Sequence, residues 1–189
     1  KALHKENIAV ILDVVYNHLW GSSPLFQLYQ PPNDYEWENH DYIRCPYFDN
    51  QESQWGYKLN HWNDRTKKYI EDALMMWVEE YHIDGFRFDY TPGIGWDASG
   101  QNGVTYYGAK LAEYDDSLIL IAEEDNPYQI NLTDFDSGWD YSYYHTLYAN
   151  LMQTTDAGHS WGDMDDLANQ MHYQGQGYQN SWGAVNYTE

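Results

Sequence analysis

Three apolar runs that each break off into polar, chemically capable side chains constrain this chain more than any other feature. Ile8 to Val15 is a continuous β-branched and leucine run that carries Asp13 and leads into Tyr16, Asn17 and His18. Gly85-Phe86-Arg87-Phe88-Asp89 is a second, and Leu118 to Ala122, followed by Glu123-Glu124, is a third. Unbroken apolar strands are what a parallel sheet covered on both faces requires. Active sites of βα barrels sit at the C-terminal ends of their strands. The three carboxylate-bearing ends therefore read as one side of an active-site rim.

The segments between the strands support parallel βα units. Asn63 or Asp64 can cap a helix, and Thr66, Ile70, Ala73, Leu74, Trp77, Val78 and Tyr81 recur at helical spacing to about His82. Asp84-Gly85 turns the chain into the second strand. A Gly-rich loop from Tyr90 to Gly103 precedes a helix over about Tyr106 to Tyr114. Weaker signals predict a strand over Phe135–Trp139, a helix on Tyr141, Tyr144, Leu147, Tyr148 and Leu151, a helix over Met164–Met171 and a last strand over Gly183–Tyr187. That makes about five strands alternating with helices, an α/β fold. Residues 19–63 read as a long polar, aromatic loop with Pro24, Pro31-Pro32 and Pro46, placed above the strand ends as one wall of a cleft. No interdomain linker interrupts the 189 residues, which read as one domain.

Composition excludes several partners. The formal net charge is -21, from 30 acidic and 9 basic residues. Phosphate binding needs basic groups, so nucleic acid and anionic membrane are not expected partners. Such a charge suits a soluble, halotolerant or secreted surface. No apolar run is long enough for a membrane span. Cys45 is the single cysteine, so no internal disulfide or multi-cysteine zinc site can form, and the compartment, secreted or cytoplasmic, stays open. Asn131-Leu132-Thr133 and Asn186-Tyr187-Thr188 match the glycosylation acceptor pattern, a match common by chance. Nine Trp and 20 Tyr exceed what a core requires. Most pack internally, while others can stack on the apolar faces of sugar rings.

Side chains two apart in a strand point the same way, so Arg87 and Asp89 lie together with Phe86 and Phe88 opposite. An arginine beside a carboxylate favours the ionised form, which suits a nucleophile or electrostatic stabiliser, or equally a structural ion pair. Glu123 ends an apolar strand, where desolvation raises a carboxyl pKa and suits a general acid; capping a loop is the alternative. Glu124 alternates to the other face. Asp13, Asn17 and His18 could orient substrate hydroxyls or hold a cation. Two carboxylates with opposite pKa demands on one sheet are the equipment of glycoside hydrolysis, and in a retaining enzyme they lie ~5–5.5 Å apart.

These motifs together resemble the alpha-amylase superfamily, glycoside hydrolase family 13. Asp13-Val14-Val15-Tyr16-Asn17-His18 is similar to its first conserved region at the third barrel strand. Gly85 to Asp89 is similar to the second at the fourth strand, and Ile121-Ala122-Glu123-Glu124 to the third at the fifth. The resemblance implies a partial (β/α)8 TIM barrel, about the third to seventh strands, as a fragment of one catalytic barrel domain. It implies that Asp89 is the nucleophile, Glu123 the general acid/base and Arg87 the partner of the nucleophile. His18 would bind sugar in the cleaved subsite, Tyr16 would offer a stacking platform and Asp13 a largely structural carboxylate at the substrate site.

Asn17 matches a position that binds calcium in many alpha-amylases. Branching enzymes often lack that ion, so the resemblance leaves calcium open and implies no other cofactor. The family's fourth region, with its third catalytic carboxylate, is not matched; Val185 to Glu189 resembles the approach to it, and Glu189 is not a substitute. The segment alone is therefore expected to show little activity. Trp55-Gly56, Leu59-Asn60, the stretch Tyr81 to Asp89, Ala122-Glu123-Glu124 and Phe135-Asp136-Ser137-Gly138-Trp139 are similar to branching enzymes and maltooligosyl trehalohydrolases. The implied function is a retaining hydrolase of α-1,4-linked glucans. A 1,4-α-glucan branching enzyme, a non-catalytic glycan-binding homologue and an unrelated βα-barrel enzyme with metal-bound carboxylates are the alternatives.

Overall fold

The computed structural model describes residues 1–28, 46–53 and 55–186. The expected features at Pro31-Pro32, Cys45 and 187–189 lie outside the described residues. The chain divides into two compact units, Lys1–Leu118 and Ile119–Glu189.

The first unit is built on two parallel strands, β1 (Ile11–Val14) and β5 (Gly85–Phe88). Their register sets Asp13 opposite Arg87 and Val14 opposite Phe88. The ladder runs on past β5, where Asp89 N–H donates to the Val14 carbonyl. At the other end Asp84 accepts from Val10 N–H at 2.6 Å and bonds His4 at 2.8 Å. The Val10 bond above all holds its carboxyl below the usual range. Phe86 and Phe88 are fully buried, as the alternation with Arg87 requires. β1 is shorter and less enclosed than the Ile8–Val15 run predicts. Ile8 and Val15 are exposed, because β1 lies at a sheet edge and pairs with β5 alone among the described residues.

Helix α2 (Asp64–Tyr81) leads the chain into β5. The Asn63 side chain caps it by accepting from Arg65 N–H, and His82 ends it with a left-handed backbone. Thr66, Ile70 and Leu74, four apart, form its buried stripe. The loop after β5 contains a short helix α3 (Thr91–Ile94), and α4 (Gly103–Tyr114) starts three residues before its predicted position. Gly103 has φ +63°, and an added Cβ would sit 2.1 Å from the Gly95 carbonyl oxygen, so no other residue fits this turn.

The loop expected over 19–63 carries regular structure. It contains α1 (Pro24–Leu28) and a three-stranded antiparallel sheet ordered β2 (His18–Leu19), β4 (Gly56–Leu59), β3 (Phe48–Ser53). Its core is aromatic: Phe26 stacks on Tyr57 at 4.0 Å and meets Phe48 edge-on at 5.3 Å. Proline and polar residues concealed these strands, whose cohesion comes from rings distant in sequence.

The second unit has three parallel strands, β6 (Ile119–Ala122), β7 (Ser137–Asp140) and β10 (Ala184–Asn186), with β7 central. Helix α5 (Pro127–Asn131) follows β6, and α6 (Tyr141–Met152) follows β7 directly. The predicted stripe on α6 is not its buried one. Tyr148 and Leu151 are exposed, and Thr146 and Ala149 are buried. A hairpin that the sequence did not predict, β8 (Thr155–Asp156) with β9 (His159–Ser160), turns at Ala157-Gly158, both at positive φ. Two pairs tie it to the adjoining helices: His145–Asp156 at 2.8 Å to α6, and His159–Asp166 at 2.6 Å to α7 (Met164–Gln170). No described helix is long and apolar enough to cross a membrane.

His61 clamps the segment between β1 and β2. Its Nε2 lies 2.9 Å from the Tyr16 carbonyl, which only accepts, so Nε2 carries the proton and Nδ1 accepts from the Tyr107 hydroxyl at 2.8 Å. Burial pushes its pKa down to about 4. The unfolded chain therefore takes up a proton near pH 6.5 that the folded chain refuses until about pH 4. Stability contributed by neutral His61 is present above pH 6.5 and is lost as the pH falls towards 4, a total of roughly 3 kcal/mol. Urea unfolding between pH 7 and 5 should show this decline, and His61→Gln should flatten it. An unchanged slope in that variant would show that His61 is not its source.

Candidate active site

The register of β1 and β5 assembles the first group of side chains. Arg87 Nη1 donates to Asp13 Oδ1 at 2.9 Å and to Asp89 Oδ1 at 2.7 Å. The arginine side chain is only 11% exposed, against 30% for Asp89 and 63% for Asp13. Asp89 is held from a second direction. Buried Asn17 donates from Nδ2 to Asp89 Oδ2 at 3.2 Å and to the Asp89 carbonyl at 3.3 Å. Each carboxylate oxygen of Asp89 thus has its own donor, which fixes the orientation of the group.

The chain of contacts continues outward. With its amide NH2 on Asp89, Asn17 offers its carbonyl oxygen to His18, whose Nδ1 therefore carries the proton in the neutral ring. Burial lowers the His18 pKa, and the Asp89 charge opposes that shift. The His18 ring lies 6.1 Å from that of half-exposed Trp55, which meets Tyr90 edge-on at 5.4 Å. Tyr90, next to Asp89, has a left-handed backbone at φ 41°.

One sequence expectation changes here. Tyr16 is not in this group. Its hydroxyl bonds Trp77 of α2 and burial pushes its pKa up to about 12, so the ring is committed to the helix layer and is no stacking platform beside Asp89. The position at which calcium was left open, Asn17, has both polar ends engaged by Asp89 and His18. Among the described residues no group of three or more His, Cys, Asp or Glu could hold a metal ion.

The second unit presents its own carboxylates at strand ends. Glu123 follows β6 and is half-buried, and Tyr141 O–H donates to its Oε1 at 2.5 Å. Glu124 is buried, and its Oε1 accepts from Asn126 N–H at 3.1 Å, capping the loop that follows β6. Gly138 brings β7 close: an added Cβ there would stand 2.5 Å from the Glu124 carbonyl oxygen.

Sequence reasoning missed three residues of this unit. Asp140 is buried at the end of β7, and Gln176 joins it to Asn186 at the end of β10. Burial pushes the Asp140 carboxyl up, and the N–H groups of Tyr143 and Ser142 offset part of that. Tyr141 opens α6. The signal for Asp140 and Tyr141 was present: Trp139-Asp140-Tyr141 is another apolar strand breaking into polar groups. Gln176 had none, because a turn far along the chain delivers it.

No protein-family model matches the chain. Over 153 residues it is 29% identical to the malto-oligosyltrehalose trehalohydrolase of Deinococcus radiodurans, a match that takes in 79% of this chain and 23% of that protein. Over 108 residues it is 37% identical to the glycogen operon protein GlgX homolog of Haemophilus influenzae, covering 54% of this chain and 15% of that one. The chain thus spans less than a quarter of either curated relative. The structure is similar to the alpha-amylase from Geobacillus thermoleovorans complexed with acarbose, with a TM-score of 0.66 and 20% identity over 97% of this chain and 40% of that one. It is also similar to the cyclic alpha-maltosyl-(1-->6)-maltose hydrolase from Arthrobacter globiformis, with a TM-score of 0.71 and 18% identity over 97% and 42%. The fold is accordingly α/β, part of a (β/α)8 barrel.

The Arg87 pairs differ in exposure, and their energetic weights follow. Arg87→Met, which strands a partly buried carboxylate, should lower the urea-unfolding free energy by about 1–2 kcal/mol. Asp13→Asn, at the exposed end, should cost less than about 1 kcal/mol. The reverse order would contradict this weighting.

Proposed function

We propose that this chain is a part of an alpha-amylase superfamily enzyme and carries catalytic residues of a retaining glycosidase acting on α-1,4-linked glucans, a reading supported by its similarity to the trehalohydrolase, the glycogen operon protein and the alpha-amylase fold. The observation that supports this best is the double anchoring of Asp89 by Arg87 and Asn17 at the end of a parallel strand. A nucleophile must meet an anomeric carbon along one line, so a carboxylate fixed at both oxygens is suited to attack. The named relatives are a trehalohydrolase and a glycogen operon protein, and one structural neighbour is an alpha-amylase holding acarbose. All three associations point to α-glucans as the substrate class.

In the proposed reaction Asp89 attacks the anomeric carbon and forms a covalent glycosyl-enzyme. Glu123 gives its proton to the departing O4 as that bond breaks. Glu123, now a carboxylate, takes a proton from the acceptor, whose oxygen displaces Asp89 and restores the α configuration. Arg87 and Asn17 hold Asp89 throughout, and His18 binds the sugar at the cleaved position through a neutral ring. Water as acceptor gives hydrolysis, and a glucan hydroxyl gives branching.

In the full-length protein, Asp89→Asn and Glu123→Gln should each lower kcat on amylose by at least about 10³-fold, with maltooligosaccharide binding kept. Proton NMR of the wild-type reaction should show the α-anomer first. Near-normal rates in either variant, or a β-anomer first, would defeat the assignment. Product analysis separates the acceptors: short linear sugars mean hydrolysis of amylose, released trehalose a trehalohydrolase, and new α-1,6 branch points a branching enzyme.

A further inference from the structure

We infer that Tyr141 is the positioning residue of the acid/base carboxylate, holding Glu123 by a hydrogen bond from its phenol to Oε1. The inference rests on the proposed role of Glu123 and adds a residue that the sequence resemblance did not assign.

The geometry is local to the second unit. The donor–acceptor distance is 2.5 Å, at the short end for a hydroxyl on a carboxylate. A carboxylate has no proton of its own to offer, so in that state the phenol is the donor. An ordinary phenol, with a pKa of about 10, keeps its proton throughout the range in which carboxylates titrate. The bond therefore survives both halves of a double displacement, in which Glu123 is first acid and then base. With Oε1 accepting from Tyr141, the proton of the acid form belongs on Oε2, which becomes the oxygen that trades it.

Tyr141 is itself well placed to hold another group. It is the first residue of α6 and follows the last residue of β7 without a loop. β7 is hydrogen-bonded to β6 in parallel register, with Ala122 opposite Gly138, and Glu123 and Tyr141 each directly follow one of these two paired strands. Trp139 packs edge-on against Tyr141 with 6.5 Å between ring centroids. Asp140, between them, is buried and bonded to Gln176. Glu124 spends Oε1 on its own loop. A site on a strand end and a helix start is held more closely than one on a loop.

The test is Tyr141→Phe in the full-length enzyme, with maltopentaose and α-maltosyl fluoride as substrates. The sugar leaving group of maltopentaose needs a proton as it departs, and fluoride does not. Because kcat/KM reports the step that forms the glycosyl-enzyme, a misplaced acid harms one substrate and spares the other. Expected is a fall on the order of 10- to 100-fold in kcat/KM for maltopentaose with little change in KM, and less than about threefold for the fluoride. Equal falls on both substrates, or none on either, overturn the inference. If Tyr141→Phe does not fold, 3-fluorotyrosine at position 141, a stronger donor of nearly the same shape, must change the ratio between the two substrates; an unchanged ratio overturns it as well. Glu123→Gln in the same assay separates the two claims. Full activity there defeats the role of Glu123, whereas a selective loss there with a normal Tyr141→Phe defeats only the role of Tyr141.

Discussion

The guanidinium of Arg87, shared between two carboxylates on adjacent parallel strands, is the interaction on which the first unit's chemistry depends. Its placement is a matter of register. Asp13 and Arg87 are direct partners across β1 and β5, and Asp89 is two residues further along the same face. A one-residue slip would turn Asp13 away from the arginine and bring Leu12 or Val14 to its place. Phe86 and Phe88, fully buried on the opposite face, make such a slip costly. The apolar core thus sets the position of a polar site it does not touch.

A second constraint reaches that site from the helix layer. Buried, neutral His61 holds the Tyr16 carbonyl, and the next residue, Asn17, extends to Asp89. Burial makes both links effective, since a hydrogen bond inside the protein faces no competition from water. It also makes them acid-sensitive, because protonating His61 would put a charge where no carboxylate is bonded to it. Tyr16 supplies its backbone to this clamp and its hydroxyl to Trp77 of α2.

The second unit repeats the same construction with different chemistry. β6 runs directly into Glu123, β7 ends in Asp140, and β10 ends in Asn186. Asp140 is enclosed and joined to Asn186 through Gln176, whereas Glu123 is half-buried and meets a phenol. The two carboxylates therefore have different environments at neighbouring strand ends. Burial raises Asp140, and the hydroxyl of Tyr141 orients Glu123.

Much of this was legible in the amino-acid order. Apolar runs located β1, β5 and β6, the Asn63 cap and four-residue spacing located α2, and alternation paired Arg87 with Asp89 and separated Glu123 from Glu124. These are local properties, set by neighbouring residues and by the period of a strand or helix. The folded chain alone decided the rest: the aromatic sheet within 19–63, the buried face of α6, the inward commitment of Tyr16, and the contacts of Asn17, Tyr141 and Gln176. Each depends on which partner arrives from elsewhere in the chain. A Phe26–Tyr57 stack, an Asn17–Asp89 bond or a Gln176–Asp140 bond leaves no periodic trace, because its energy belongs to a pair that only folding brings together.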